Sequence, residues 1–295
     1  MAILRSVLII YFCPVLVFVY IGRRPFGFEI YLRHQKRSNT LLLVPFGCPR
    51  TKEANQGGFV IHRYSEHNTS IANRLLAALP PKDYERVLPN LEEFSFEFNK
   101  NIYKPGSPIR HVFFPSSGII SLMIAIEDKS TFVARIVGKE GMVGLPIFLG
   151  VKTSHTKAIV HGNGMAMRMT AADFEKECGK SEVLPKLLRR FAHSESVHIS
   201  QSAACYRFCP IEKRLARWLL MMSDRMDTNE FPMTHDSLTN MVGVRRETVT
   251  AAAGALRKKD LISYNRGNMM ILDRPGLEAA ACKCYSIISD AEKIF

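Results

Sequence analysis

What this chain lacks narrows its function before any motif is considered. No nucleophile stands beside a base, no carboxylates pair, and no glycine-rich phosphate loop is present, so catalysis has no footing in the sequence. Internal repeats and low-complexity tracts are missing too, which removes solenoids and disordered polymers. Acidic residues are scarce: 27 Asp and Glu face 40 Lys and Arg, for a net charge of +13. The deficit is uneven, since residues 1–70 hold nine basic and three acidic residues and the remainder 31 and 24. Excess positive charge suits a nucleic acid or an anionic membrane surface equally well, so charge alone decides nothing. Uncharged apolar runs are short, apart from residues 6–22, which just reach the lower limit for a membrane helix. With 295 residues and 47% hydrophobic content, the chain has material for two small domains and some extra segments.

The most informative stretch is Thr234 to Leu272. Thr234 can accept a hydrogen bond from a first-turn N–H, and Asp236 suits the dipole of a helix running to Met241. A second helix is expected from Arg245 to Lys259, with Gly243 at the bend, where φ should be positive. Leu238, Val242, Val244, Val249 and Ala252 would wedge the two helices together, the pattern of a helix-turn-helix. Leu261 to Tyr264 and Met269 to Leu272 flank the turn Asn265-Arg266-Gly267-Asn268 and read as a hairpin wing. The N-terminal end of the second helix would then enter a DNA major groove with Arg245, Arg246 and Glu247 leading. Arginine can fork onto guanine, a carboxylate can accept from cytosine, and Thr248 or Thr250 can reach phosphate or a thymine methyl. Thr234 at the first helix and Arg266 in the wing complete the candidate DNA-binding set. A solvated surface helix is the plainer alternative, but six Lys or Arg gather between Arg245 and Gly267 against only Glu247 and Asp260.

The ungapped run from Met233 to Val249, with its core Arg246-Glu247-Thr248-Val249, resembles the DNA-binding motif of the Crp/Fnr family of bacterial transcription regulators. The resemblance implies that Arg246 and Glu247 read bases and that Thr248 touches phosphate. Arg245 stands where many members carry serine, and Ala251 where some carry a second base-reading arginine. Ahead of this region, short β-type runs fill residues 91–169, including Phe94 to Phe98, Ile119 to Ile126 and Thr131 to Val137, behind two short helices at 71–79 and 81–88. Their order, with the Tyr103-Lys104-Pro105-Gly106 corner and the Gly138 to Gly144 turn, is similar to the family's cyclic-nucleotide-binding-like sensor.

The expected fold class is therefore α+β: an antiparallel β-roll of the jelly-roll kind, a long dimerisation helix and a C-terminal winged helix-turn-helix. The expected divisions are an N-terminal extension (1–65), sensor (66–180), dimerisation helix (181–207), DNA-binding domain (208–285) and tail (286–295). The resemblance further implies a homodimer on a double-stranded operator, RNA polymerase as a further partner and a small-molecule effector. Its usual cyclic nucleotide is not expected as a cofactor. Val143-Gly144-Leu145-Pro146 lacks the ribose-binding glutamate, and Ser154-His155-Thr156-Lys157-Ala158 lacks the phosphate-binding arginine. Gly144, Leu145, His155 and Lys157 remain as the candidate effector pocket.

Residues 182–207 are expected to form the long helix, with an apolar face of Leu187, Phe191, Val197 and Ile199. The next helix, Pro210 to Arg225, should bury Leu215, Trp218, Leu219 and Met222 and leave Arg214 and Arg217 outside. His193 and His198, five apart, are expected on the surface. Cys205 and Cys209, with Cys282 and Cys284, could close a zinc or iron–sulfur site only if the two ends met in space. The expectation is no metal and ordinary reduced or buried thiols. The family's N-terminal iron–sulfur cysteine cluster is absent, since only Cys13 and Cys48 precede the sensor. For residues 6–22 three readings stand: a membrane helix leaving the body in the cytoplasm, a secretory signal, or a first 65 residues foreign to the natural product, which is the favoured one.

Overall fold

A computed structural model describes residues 6–12, 15–24, 27–34, 71–125, 131–265 and 267–293. The chain divides into two compact units, residues 1–65 and 66–295. In the first, β1 (Ser6–Phe12), β2 (Val15–Arg24) and β3 (Gly27–His34) form an antiparallel sheet in that order. The helix considered for residues 6–22 is thus replaced by strands. The reason is legible in the β-branched and aromatic content of Val7 to Tyr11 and Val15 to Ile21, which favours extended backbone as strongly as apolarity favours a membrane. Among the described residues no helix is long and apolar enough to cross a membrane. Residues 38–68, whose sequence reads as an irregular linker, lie outside the described residues.

The second unit opens with α1 (Arg74–Ala77) and α2 (Pro81–Val87). Buried Asn73 caps α1 by accepting from the N–H groups of Leu75 and Leu76, and its amide donates to Pro115 O and Gly141 O at 3.0 and 2.8 Å. One side chain thereby ties the entry helix to two turns of the roll. The strands follow: β4 (Glu92–Phe96), β5 (Asn101–Tyr103), β6 (His111–Pro115), β7 (Ile119–Ala125) and β8 (Thr131–Val137). After the short α3 (Leu145–Phe148) come β9 (Lys157–Gly162) and β10 (Gly164–Thr170). They form two antiparallel sheets, β4-β10-β6 and β5-β9-β7-β8. Phe96, Tyr103, Val112, Phe114, Ile120, Val137 and Val160 fill a common core with Phe174, Leu188 and Phe191 from the helices that follow. This is the expected roll.

Helix α4 (Ala171–Lys180) leads into α5 (Val183–Phe208), a single 26-residue helix. Pro185 sits in its first turn, where its missing N–H has no helical partner to lose. Next come α6 (Ile211–Met226), β11 (Glu230–Pro232), α7 (His235–Val242), α8 (Arg246–Lys258), β12 (Ile262–Asn265), β13 (Asn268–Ile271), α9 (Arg274–Ala280) and α10 (Cys284–Ala291). A second core joins Trp218, Leu219, Leu238, Val249, Ile262 and Leu277 of this region to Ile119, Val133 and Ile136 of the roll. The C-terminal domain is therefore packed against the sensor, not tethered beside it.

Three expectations fail around α6 and α5. Arg214 and Arg217 are buried, because α6 packs against α7, α8, α9 and α10 and keeps almost no solvent face. Arg214 finds replacements for water at helix ends, donating to Tyr206 O at 2.7 Å and Val242 O at 3.0 Å. His198 is fully buried, whereas His193 is exposed as expected. Beside His198 lies an ion cluster built from four elements and one turn. Arg135 of β8 bonds Glu292 at 3.0 Å, Glu195 of α5 at 2.6 Å and the Nδ1 atom of His198. Arg225 of α6 bonds Glu292 at 2.6 Å and Glu140 at 2.9 Å. Burial opposes ionisation of Glu292, but the Arg225 and Arg135 guanidiniums outweigh it and hold its carboxyl well below the usual range. Burial and then Arg135 drive the His198 imidazole the same way, so it stays neutral.

Candidate nucleic-acid interface

Local chemistry shapes the helix-turn-helix. The Thr234 hydroxyl accepts from Ser237 N–H at 3.1 Å and starts α7, as its sequence position requires. Gly243 ends α7 at φ +71°, its N–H returning to Thr239 O at 2.8 Å. Arg245 adopts extended backbone and forms the N-cap of α8, so the helix begins one residue later than expected. Its side chain makes no capping bond, which leaves first-turn N–H groups free to face an anion. Leu238, Met241, Val242, Val249, Ala252 and Leu256 are buried at the α6–α7–α8 contact. That burial rotates Arg245, Arg246, Glu247, Thr248 and Thr250 outward, and all five are exposed.

The electrostatics leave these groups available. Arg246 reaches Asp236 only at 4.0 Å, with side chains 64% and 84% exposed, a pair too solvated to hold the guanidinium. Two hydroxyls have local partners: Thr250 donates to Arg246 O at 2.9 Å, and Thr234 serves its cap. In the wing, Asn265 pairs with Asn268, so the turn has two residues between its strands, not four. Gly267 takes φ +83°, and Arg266 lies outside the described residues. Strand β11 adds a third member, pairing Phe231 with Met269. At three residues ending in proline it carried no periodic signal.

The turn is anchored from outside the domain. Tyr206 of α5 donates to Met241 O at 2.7 Å and meets the Phe132 ring of β8 edge-on at 4.8 Å, and the same two rings crowd Gly243. The long helix and the sensor therefore touch the bend that aims α8.

The four candidate effector residues lie at the start of α3 and at the entry to β9. Gly144 caps α3 at φ +105°, Leu145 begins that helix, Lys157 begins β9, and His155 is exposed in the loop before it. Four cavities among the described residues, of about 510, 340, 320 and 140 Å³, are lined by other side chains. The condition set for a shared cysteine site, that the two ends meet in space, is fulfilled. Cys205, Cys209, Cys282 and Cys284 do meet, with all four sulfurs within 4.8 Å of one another. The fold of α10 back onto α5 brings the two ends together, which no spacing rule could reveal.

Exposed arginine and glutamate at the start of a helix that is buried on its other side, followed by a β-wing, define a winged helix-turn-helix DNA-binding protein. Residues 213–280 match the model of the Crp-like helix-turn-helix domain. The global nitrogen regulator of Nostoc sp. is 22% identical over 186 residues, covering 60% of this chain and 83% of that protein. The transcriptional regulator SdrP of Thermus thermophilus is 26% identical over 205 residues, covering 64% and 94%. The structure of FixK2 from Bradyrhizobium japonicum superposes with a TM-score of 0.58 at 17% identity, over 65% of this chain and 98% of that one, which supports the fold. The chain is a DNA-binding transcription regulator similar to those of the Crp/Fnr type.

Proposed function

We propose that this regulator binds an inverted-repeat operator as a homodimer, with Arg246 and Glu247 reading base edges and Arg245 and Thr248 holding the DNA backbone. The observation that carries the reading is the outward projection of these side chains at the N-terminus of α8. Support for pairing comes from α5, where Ala192, Ser196, Ile199 and Ala203 recur at spacings of four, three and four. That is the stagger of a two-helix seam, and Ile199 is 59% exposed in the single chain. A two-fold protein places its recognition helices about one DNA turn apart, which calls for a repeated half-site.

The effector is a small molecule other than a cyclic nucleotide held by the usual glutamate and arginine, and neither group stands at Gly144–Pro146 or His155–Lys157. It acts by shifting the arrangement in which Tyr206 and Phe132 hold the Gly243 bend, and so the spacing of the two recognition helices. RNA polymerase is the downstream partner, and no step of the reading requires catalysis. Arg246→Ala tests the base contact. Discrimination between operator and scrambled duplex should fall by about 1 to 3 kcal/mol, with half-site preference relaxed at one position. Unchanged discrimination would remove Arg246 from the reading surface.

A further inference from the structure

The meeting of four cysteines is independent of the DNA surface. Cys205 lies in the last turn of α5 and Cys209 is its C-cap, so the two share one helical face. Cys282 follows α9, and Cys284 is the first residue of α10. Cys282 and Cys284 fall beyond the matched helix-turn-helix domain, which ends at residue 280. Cys205, Cys282 and Cys284 are buried, and Cys209 is partly so.

The distances separate the chemistries these thiols could serve. Cys205 and Cys282 place their sulfurs 3.5 Å apart, Cys209 and Cys284 3.9 Å apart, and all four lie within 4.8 Å. A disulfide needs about 2.05 Å, so neither pair is bonded. Four thiolates around one ion at about 2.3 Å form a tetrahedron with edges of about 3.8 Å, between the two observed pair distances. A four-iron cluster, with each thiolate on a different iron, demands a wider cage.

A second observation points to the same place. Arg217 is completely buried, with Nε and Nη2 lacking a partner among the described residues. Its Nη1 donates to Ser202 Oγ at 3.4 Å, on the α5 turn before Cys205, so the guanidinium lies against the end of α5 that carries the thiols. An unpaired buried cation is costly, and the cost falls if the site beside it is anionic. Four thiolates on a divalent ion carry a net charge of −2, which Arg217 and the neighbouring buried Arg214 offset.

We infer that Cys205, Cys209, Cys282 and Cys284 bind a single zinc ion that clamps the C-terminal segment of the DNA-binding domain to the end of the long α5 helix. Each thiol coordinates as a thiolate and gives its proton to solvent, with no change of oxidation state. The ion cross-links two segments more than 70 residues apart at the joint between sensor and reader. Metal occupancy thus fixes how α10 and α5 are joined, and chelation loosens that joint.

The test uses the full-length chain purified in reductant without added metal. Elemental analysis should find about one zinc per chain, with neither iron nor acid-labile sulfide. After chelation, Co²⁺ should restore the visible absorption of a tetrahedral thiolate site and saturate at about one ion per chain. Cys209→Ser and Cys282→Ser should lose most of the bound zinc, while Cys178→Ser should keep it. The cobalt spectrum needs no variant, so it remains decisive even if a serine variant fails to fold. Stoichiometric iron with sulfide would overturn the inference, as would a reduced chain that yields no cobalt–thiolate absorption or one whose four thiols are recovered as disulfides. None of these readouts depends on an operator, so failure of the DNA reading would leave them unchanged.

Discussion

Replacing Glu292 by alanine should destabilise the 66–295 unit far more than its place three residues from the C-terminus suggests. Its carboxylate joins Arg225 at 2.6 Å and Arg135 at 3.0 Å, both guanidiniums being almost fully buried. Removing one member of a buried ion pair costs about 3 to 5 kcal/mol, because the charge left behind cannot regain water. Glu140 and Glu195 still contact the arginines, at 2.9 and 2.6 Å, so the cost should fall near the lower bound, about 3 kcal/mol. For a unit of this size that corresponds to a melting temperature lower by about 6 to 12 °C. Urea titration followed by the fluorescence of Trp218, the single tryptophan and fully buried in α6, reads this core directly. Glu292→Gln, which keeps an acceptor, should lose distinctly less. A loss below about 1 kcal/mol for the alanine variant, the range of a surface ion pair, would show that the cluster does not hold α10, α6 and β8 together.

Gly243→Ala forces a side chain into left-handed backbone, costing about 1 to 2 kcal/mol. It also places a Cβ 3.2 Å from Phe132 and 3.4 Å from Tyr206. Both the urea midpoint and operator affinity should drop, and a variant that keeps both would deny that this bend is anchored by the sensor and α5. Stability should also fall as pH drops below about 6.5, because the unfolded state takes up a proton that buried His198 refuses. Lost stability at lower pH is the sign expected for a depressed folded pKa. His198→Gln should flatten that fall by up to about 1.4 kcal/mol per pH unit between about pH 6 and 5, and an unaltered slope would assign the proton to another group. Glu292, also depressed, adds to the loss only further down, in the carboxylate range, where burial of Glu195 acts in the opposite sense.

The reading head was legible because its signals are local. A capping threonine, a glycine at the bend and apolar positions at helical spacing lie within one short stretch, and each reappears as a hydrogen bond, a positive φ or a buried side chain. The roll was legible at the level of strands, and β8 matches its expected bounds. What escaped depends on long-range closure. Arg214 and Arg217 look like solvated residues in a helix pattern, and only the packing of four further helices around α6 makes them interior. His198 was misplaced for a related reason: its partner Arg135 lies 63 positions before it and Glu292 far after it, too distant for any periodicity to connect. The cysteines were discounted because their spacings alone are weak, yet α10 folds back to unite them. Strands at residues 6–24 were missed because apolar β-branched runs suit membrane and sheet alike.

The central claim is sequence-specific DNA recognition by a two-fold regulator, and its most direct test is selection of duplexes from a random library by the purified full-length chain at defined salt. Recovery of an inverted repeat, with half-sites about one helical turn apart and a preference weakened by Arg246→Ala, is the predicted result. A folded protein that enriches no sequence, with or without cell extract supplying small molecules, or one whose preference ignores Arg246, would contradict it.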